Sequence, residues 1–260
     1  AGAGAARPVA PRRRFSRSGE PMIRAVIFDL DNTLTDFMKM KRASIDAAVD
    51  GMLDAGLPLT REEVSKKIYL VYGREGIEYQ QVFDRFLQEE LGRVDYKVLS
   101  SAVVAYRRAR DSYPLLCPPV TFTLLELTKR GLKLAVVSDA PRLQAWMRLA
   151  QLQLQHLFDP VVAFEDTGER KPSPKPFQRA IEMLGIEPSE AIMVGGWPER
   201  DVVGAKGLGI RTAFARYGDT FGTGQSGADW DLNDVMELIG IVDSLNGVTA
   251  KGKEGAAWSR

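Results

Sequence analysis

The 260-residue chain has one cysteine, one histidine and no long apolar run. A single cysteine, Cys117, excludes an internal disulfide and suits a reducing compartment, so we expect a cytoplasmic protein. Because no uninterrupted apolar stretch reaches about 18 residues, no membrane-spanning helix is expected. The lone histidine, His156, could complete a Ser-His-Asp triad only with a serine distant in sequence. We therefore expect His156 to be structural.

The chain also lacks a basic excess outside its first residues. The formal net charge is +1, but residues 1–20 hold five arginines and one acid, which leaves about −3 for the remainder. Nucleic acid is therefore not an expected partner. The Arg-rich segment could be a transit peptide, a cloning remnant or translated upstream sequence. We expect residues 1–21 to be a disordered extension outside the fold.

Short apolar runs that end at polar residues predict five buried strands. They lie at 25–28, 132–137, 160–164, 191–194 and 212–215. Helical patterns follow at 120–130, 143–152, 176–184, 201–208 and 232–245. Strands that alternate with helices predict an α/β fold, a Rossmann-like doubly wound parallel sheet.

One long segment breaks this alternation. Residues 37–113 contain no convincing strand and predict four helices, at 40–55, 60–72, 79–91 and 97–111. Thr60 and Glu63 fit a capping box at the second helix. The chain is therefore expected to consist of an α/β core domain (22–36 and 114–245), an inserted helical subdomain (37–113) and a flexible tail (246–260).

Two aspartates follow the first predicted strand directly. In open α/β sheets, ligands bind at the carboxyl ends of strands, and Asp29 and Asp31 would both face one side if the strand continued. Two carboxylates so close repel each other unless a cation or a shared proton intervenes. The pattern indicates a metal-assisted site with one carboxylate that attacks and one that handles protons. The structural alternative is a helix N-cap.

Two later loops carry further candidates. Ser138 ends the second core strand, where a hydroxyl beside free backbone N–H groups can bind phosphate oxygens, although a helix N-cap is the commoner role of such a serine. Lys171 lies in the proline-rich loop 170–176, which the prolines hold rigid. A lysine in a rigid loop can be directed at a fixed point.

These motifs together resemble the haloacid dehalogenase superfamily, whose members are mostly phosphatases. The resemblance extends from about Met22 to about Leu245. It rests on the sequences Asp-Leu-Asp-Asn-Thr at 29–33, Val-Val-Ser-Asp-Ala at 136–140, Lys-Pro-Ser-Pro at 171–174 and Gly-Gly-Trp-Pro-Glu-Arg-Asp at 195–201.

The resemblance implies roles for these residues. Asp29 would be the nucleophile that forms an aspartyl-phosphate, and Asp31 the general acid and base. Thr33, Ser138 and Lys171 would bind the phosphoryl group, and the helical segment 37–113 would be a cap that closes over the site. The dehalogenases themselves are a poorer match, because they lack the second acid, which is present here as Asp31.

The fourth motif departs from the family pattern. The resemblance implies Mg²⁺ as cofactor, with Asp29, Asp31 (through its backbone carbonyl) and Asp201 as its ligands. However, Gly196 stands where the family has its first acidic ligand, and Asp201 matches the second acid. Glu199 is a possible substitute. We expect weakened metal binding.

Three functions follow from this sequence. The first is a metal-dependent phosphatase that hydrolyses a small phosphorylated metabolite, as a monomer or homodimer without a nucleic-acid or membrane partner. The second is a catalytically weakened family member that serves as a binding or regulatory protein, which the glycine at 196 supports. A phosphomutase is the third, because it shares the first-motif chemistry and differs in protecting the intermediate from water.

Overall fold

The computed structural model describes residues 21–113 and 119–248. Two compact units are present: a core unit of residues 21–34 and 119–248, and a helical unit of residues 35–113. Cys117, the Arg-rich segment and most of the predicted tail lie outside the described residues. Within the described part of the chain, no helix is both long and apolar enough to cross a membrane.

The helical unit contains the four predicted helices. Their bounds are α1 Phe37–Asp54, α2 Arg61–Glu75, α3 Val82–Leu91 and α4 Tyr96–Ser112. The first begins three residues earlier than predicted, because the Asp36 carboxylate accepts a hydrogen bond from the Lys39 amide and caps it. The predicted capping box is present at α2, where the Glu63 carboxylate accepts from the Thr60 amide at 2.8 Å. The apolar faces of the four helices pack into one cluster that includes Met52, Ile68 and Phe86.

The core unit is built on a six-stranded sheet in which every neighbouring pair is parallel. Its strands are β1 Ala25–Phe28, β2 Lys133–Val137, β3 Val161–Val162, β4 Ala191–Gly195, β5 Arg211–Ala215 and β6 Trp230–Leu232. Both β1 and β4 are entirely buried, which is why they read as continuous apolar runs. The order β3-β2-β1-β4-β5-β6 reverses direction between β1 and β4. The predicted doubly wound α/β fold is confirmed.

Among the described residues of the core unit, six α-helices accompany the sheet. They are α5 Val120–Lys129, α6 Arg142–Gln151, α7 Phe164–Thr167, α8 Pro174–Leu184, α9 Val203–Lys206 and α10 Glu237–Leu245. Phe177 of α8 packs with Ile27 of β1 and Met193 of β4 in one apolar cluster. This packing supports the central strands, so the carboxyl ends of β1 and β4 are fixed relative to each other.

Three predicted elements were wrong in detail. The third strand ends at Val162 rather than at residue 164, because Phe164 begins α7. The helix predicted over 201–208 is a π-helical turn, Pro198–Val202, followed by α9. The helix predicted from residue 232 begins at Glu237, since residues 230–232 form β6 beside β5.

The last described helix is fastened to the first strand. Asn246, which was expected to begin the flexible tail, accepts a hydrogen bond from the Ile23 amide at 2.7 Å and donates to the Ile23 carbonyl at 2.9 Å. This two-point contact satisfies both backbone groups of Ile23 just before β1 begins. The end of α10 therefore helps to fix the entry to the central strand.

Candidate active site

The candidate residues converge at the carboxyl ends of the three central strands. The amide of Asp29 donates to the Val194 carbonyl of β4 at 2.8 Å, so Asp29 continues the pairing of β1 with β4. The Lys171 ammonium donates to the Val137 carbonyl at the end of β2 at 3.1 Å. The site thus lies where the strand order reverses, which is the usual ligand position in open α/β sheets.

One buried ammonium joins two of the predicted acids. The Nζ atom of Lys171 lies 2.6 Å from Asp29 Oδ1 and 2.7 Å from Asp201 Oδ1. With the Val137 carbonyl these contacts use all three donors of the ammonium. Only 3% of the Lys171 side chain is exposed, against 12% for Asp29. Asp29 is therefore the member of the pair with an edge open to a reactant.

The ionisation of this cluster follows from its contacts. Burial alone would lower the pKa of Lys171, but the carboxylates of Asp201, Asp29 and Asp139 outweigh burial and raise it above its ordinary value. Burial raises the pKa of Asp201 to about 6, although the Lys171 ammonium opposes this shift. At neutral pH the lysine is therefore charged and Asp201 is mostly ionised.

A tight turn brings the predicted threonine back to the first aspartate. Asn32 has a φ of 59°, in the left-handed region that asparagine tolerates, and Thr33 Oγ1 donates to Asp29 Oδ2 at 3.2 Å. The segment after β5 supports this turn, because Tyr217 donates to the Thr33 carbonyl at 3.1 Å. A Cβ atom on Gly218 would lie 1.6 Å from the Asn32 carbonyl oxygen, so only glycine fits there.

The second aspartate has a different cation. The Oδ2 atom of Asp31 lies 3.1 Å from the guanidinium of Arg148 in α6. Sequence reasoning missed this arginine. A signal was available, because Ala145, Arg148 and Leu149 lie on one face of α6 and all three are buried. A charged residue on the apolar face of a helix indicates a buried partner.

Ser138 lies at the end of β2, as predicted. Its amide donates to the Val162 carbonyl at 2.9 Å, and its hydroxyl oxygen accepts from the Ala140 amide at 3.2 Å. This is a local turn contact and not a helix N-cap, because the N-cap of α6 is Pro141. The hydroxyl proton is still available to donate to a ligand, so the phosphate-binding role stays a prediction.

The loop of the fourth motif, residues 195–201, places the Asp201 carboxylate beside Lys171. The π-helical turn brings Asp201 back over its own loop, where Oδ2 accepts from the Trp197 amide at 3.0 Å. A Cβ atom on Gly195 would lie 2.2 Å from the same Oδ2 atom, so the glycine makes room for the carboxylate. Gly196 has no positive φ, and a Cβ atom there would lie 3.0 Å from the Asn32 carbonyl oxygen.

Two further residues brace the lysine loop, and sequence reasoning gave them no role. The Asp139 carboxylate accepts from the Lys171 amide at 2.9 Å and from Arg200 at 3.1 Å. The Arg200 guanidinium lies 3.7 Å from the centre of the Trp197 ring, a cation–π contact. Asp139 thereby links the loop of Lys171 to the loop that contains the fourth motif.

The predicted magnesium ligands are two carboxylates and one backbone carbonyl. Among the described residues, no three Asp, Glu, His or Cys side chains are grouped so that they could hold a metal ion. Mg²⁺ is usually held by one or two carboxylates together with waters, and Asp29 and Asp201 lie on either side of Lys171. The third predicted ligand is the backbone carbonyl of Asp31, and the contact of its side chain with Arg148 does not involve that carbonyl. Position 196 offers no side chain, and the ligand set stays a prediction.

Comparisons with known proteins agree with the predicted family. Residues 23–209 match haloacid dehalogenase-like hydrolases. A glyceraldehyde 3-phosphate phosphatase from Methanopyrus kandleri is 34% identical over 230 residues, which cover 86% of this chain and 99% of that protein. A protein of the same name from Methanothermobacter thermautotrophicus is 31% identical over 189 residues, 73% of this chain and 84% of that one. The crystal structure of a HAD phosphatase from Thermococcus onnurineus superposes with a TM-score of 0.63 at 26% identity, covering 85% of this chain and 98% of that chain.

This chain belongs to the haloacid dehalogenase-like hydrolase family. The predicted membership is confirmed. The two relatives described above are both named as phosphatases of a small phosphorylated metabolite, glyceraldehyde 3-phosphate.

The buried lysine should be far more important for stability than an exposed neighbour. Lys171→Met removes the only ammonium from between Asp29 and Asp201, and breaking a buried ion pair costs about 3–5 kcal/mol. The matched control is Lys175→Met, whose side chain is 58% exposed and pairs with Glu169, where a loss of about 1 kcal/mol or less is expected. Urea denaturation at neutral pH measures both free energies of unfolding.

The pH dependence adds a second test of the same contact. Burial raises the pKa of Asp201 and the Lys171 ammonium opposes this shift, so removal of the ammonium leaves the pKa of Asp201 further above its unfolded value. The folded variant therefore gains stability relative to the wild type as pH falls. The difference between Lys171→Met and wild type should therefore shrink at mildly acidic pH. Equal losses for the two lysine variants would contradict the assigned role of Lys171.

Proposed function

We propose that the protein is a phosphatase of small phosphorylated metabolites and that Asp29 is its nucleophile. The observation that supports this most is the Asp29 carboxylate at the strand-order reversal, with Lys171 on one oxygen and Thr33 on the other. Both contacts restrict the rotation of the carboxylate. A nucleophile held in one orientation reacts with less loss of entropy.

In the first half-reaction, an Asp29 oxygen bonds to phosphorus, and the bond from phosphorus to the ester oxygen breaks. The departing alcohol takes a proton from Asp31, and an aspartyl-phosphate is left on Asp29. In the second half-reaction, Asp31 removes a proton from water, and the water oxygen attacks phosphorus. Inorganic phosphate leaves and the Asp29 carboxylate is restored.

Charge on the transferring group must be balanced by fixed donors and cations. We assign this task to Lys171, Thr33 and Ser138. Lys171 has its three donors in use, so it acts mainly through its positive charge, while the two hydroxyls can donate hydrogen bonds. Preorganised donors and charges of this kind commonly lower a barrier more than any other single factor.

The substrate class comes from the relatives. Two of them are named as glyceraldehyde 3-phosphate phosphatases, so glyceraldehyde 3-phosphate is the first ester to test. The helical unit of residues 35–113 is assigned as the cap, which would exclude water and select the substrate. The cytoplasmic location expected from the single cysteine stays a prediction, as does a monomeric or homodimeric state.

The alternative functions make different demands on the site. A regulatory member would bind a phosphate ester without turning it over, and the glycine at 196 is the observation that favours it. A phosphomutase would return the phosphoryl group to a second hydroxyl of the sugar rather than to water. Product analysis with a phosphorylated substrate separates these cases, because only the phosphatase releases inorganic phosphate continuously.

The nucleophile assignment predicts the effect of one substitution. Asp29→Asn keeps the size of the side chain but removes the attacking carboxylate, so turnover of glyceraldehyde 3-phosphate should fall by at least about 10³-fold, equivalent to about 4 kcal/mol in the barrier. Asp54→Asn, at the exposed end of α1, is the matched control and should leave turnover unchanged. Phosphate release measures both variants. An Asp29→Asn variant that keeps more than a few per cent of wild-type turnover would show that another group attacks.

The metal requirement is tested at position 196. Mg²⁺, which the family resemblance implies, lacks a side-chain ligand there, and Gly196→Asp would supply one. The backbone φ is compatible with a side chain, and the Asn32 carbonyl must shift only by a few tenths of an ångström. We expect tighter Mg²⁺ binding and higher activity at limiting Mg²⁺. Isothermal calorimetry and phosphate release measure the two effects.

The control for this experiment is Gly196→Asn, which has the same shape and no charge. If Gly196→Asp folds normally but binds Mg²⁺ no more tightly than Gly196→Asn, position 196 is not a vacant ligand site. The added carboxylate would then only repel Asp29 and Asp31, and activity should fall rather than rise.

A further inference from the structure

We infer that Arg148 is a positioning residue for Asp31 and that it holds the Asp31 carboxyl group where, in its protonated form, it gives its proton to the leaving group. The inference rests on the proposed phosphatase function. The observation that motivates it is the contact of 3.1 Å between an arginine of α6 and Asp31 Oδ2. Arg148 itself is not assigned a contact with the reacting atoms.

The location of Arg148 in its helix is unusual for a purely structural arginine. Its side chain is 8% exposed, whereas that of Arg142 in the same helix is 52% exposed. It shares the buried face of α6 with Ala145 and Leu149. Burial of a guanidinium is costly, and an apolar residue of similar size in a buried ion pair is often as stabilising or more so. Stability alone therefore gives no reason for an arginine at this position.

The contact matters because Asp31 lies beyond the regular part of the first strand. β1 ends at Phe28, the turn at Asn32 reverses the chain, and the Asp31 side chain is 24% exposed. An ion pair with a buried guanidinium favours those Asp31 rotamers that keep Oδ2 near Arg148.

The two acids of the first motif are thus held by two different cations. Lys171 contacts Asp29, and Arg148 contacts Asp31. Each carboxylate therefore has a cation of its own, although the two residues are only two positions apart in sequence. Each can then act in its own step, one on phosphorus and one on the leaving oxygen.

The test compares two esters that differ in their need for a proton. The leaving group of an alkyl phosphate such as glyceraldehyde 3-phosphate is a strongly basic alkoxide unless its oxygen is protonated. The leaving group of p-nitrophenyl phosphate is p-nitrophenolate, which departs without a proton.

For Arg148→Met, kcat/KM on the alkyl ester should fall by about 10²-fold or more, the range that general acid catalysis contributes. On the aryl ester kcat/KM should change far less. The ratio kcat/KM is the right measure because it covers only the steps up to departure of the leaving group, and not the later hydrolysis of the aspartyl-phosphate, in which Asp31 serves both esters as the base.

Two variants accompany this measurement. Arg148→Lys keeps a cation on the same face and should restore part of the kcat/KM on the alkyl ester. Arg142→Met removes an exposed arginine of the same helix, which pairs with Asp166 of α7, and it should leave the ratio of the two kcat/KM values unchanged. If Arg148→Met does not fold, the ratio measured with Arg148→Lys decides, because that ratio should still fall below the wild-type value.

The outcomes separate this inference from the function on which it rests. Equal losses on both esters, or no loss on either, in a wild-type background that hydrolyses both, would overturn the role of Arg148 and leave the phosphatase function intact. A wild-type protein that hydrolyses neither ester would overturn both.

Discussion

The site depends on one buried ammonium more than on any other group. Lys171 lies between Asp29 and Asp201 with three hydrogen bonds below 3.2 Å, and burial of any of these charges without the others would be costly. Its backbone amide is held by Asp139, and its partner Asp201 is held by the Trp197 amide. The ends of three strands and two loops therefore meet on a single side chain, so the position of the Asp29 carboxylate is determined by the whole core unit.

Protein cations neutralise the acids that surround this lysine. Asp31 pairs with Arg148 and Asp139 pairs with Arg200. Asp29 and Asp201 share Lys171, so each of these four aspartates has a protein cation beside it. Gly196 is consistent with this arrangement, since an acid at that position would add a charge with no cation assigned to it. A Mg²⁺ ion at this site would therefore compete with Lys171, Arg148 and Arg200 for the same carboxylates.

Much of the site could be predicted from sequence, for a simple reason. Parallel strands end at one edge of the sheet, so residues that follow predicted strands, such as Asp29 and Lys171, must approach one another even when 142 positions separate them. The fold was predictable on the same basis, because buried strands and capped helices have local signatures such as the Thr60–Glu63 box. The three-residue strand β6 was not predictable, because its order comes from pairing with β5 and from the Thr212–Asp229 contact rather than from its own pattern.

The rest of the site depends on tertiary packing. The partner of Asp31 could not be inferred without knowing which face of α6 meets the first loop. Likewise, the orientation of Asp201 depends on a π-helical turn where the sequence predicts an ordinary helix. Both features decide which acid contacts which cation, and they are therefore the features that distinguish the chemistry of this chain from the general family pattern.

The central claim is that Asp29 becomes phosphorylated during turnover. The most direct measurement is to quench the wild-type protein with acid while it hydrolyses a phosphate ester, reduce it with borohydride, and analyse the peptide that contains residue 29 by mass spectrometry. An acyl phosphate on Asp29 is reduced to homoserine, so the account predicts homoserine at position 29 only when substrate was present. Phosphate release with an unmodified Asp29 under these conditions, or with reduction at another acidic residue, would contradict it.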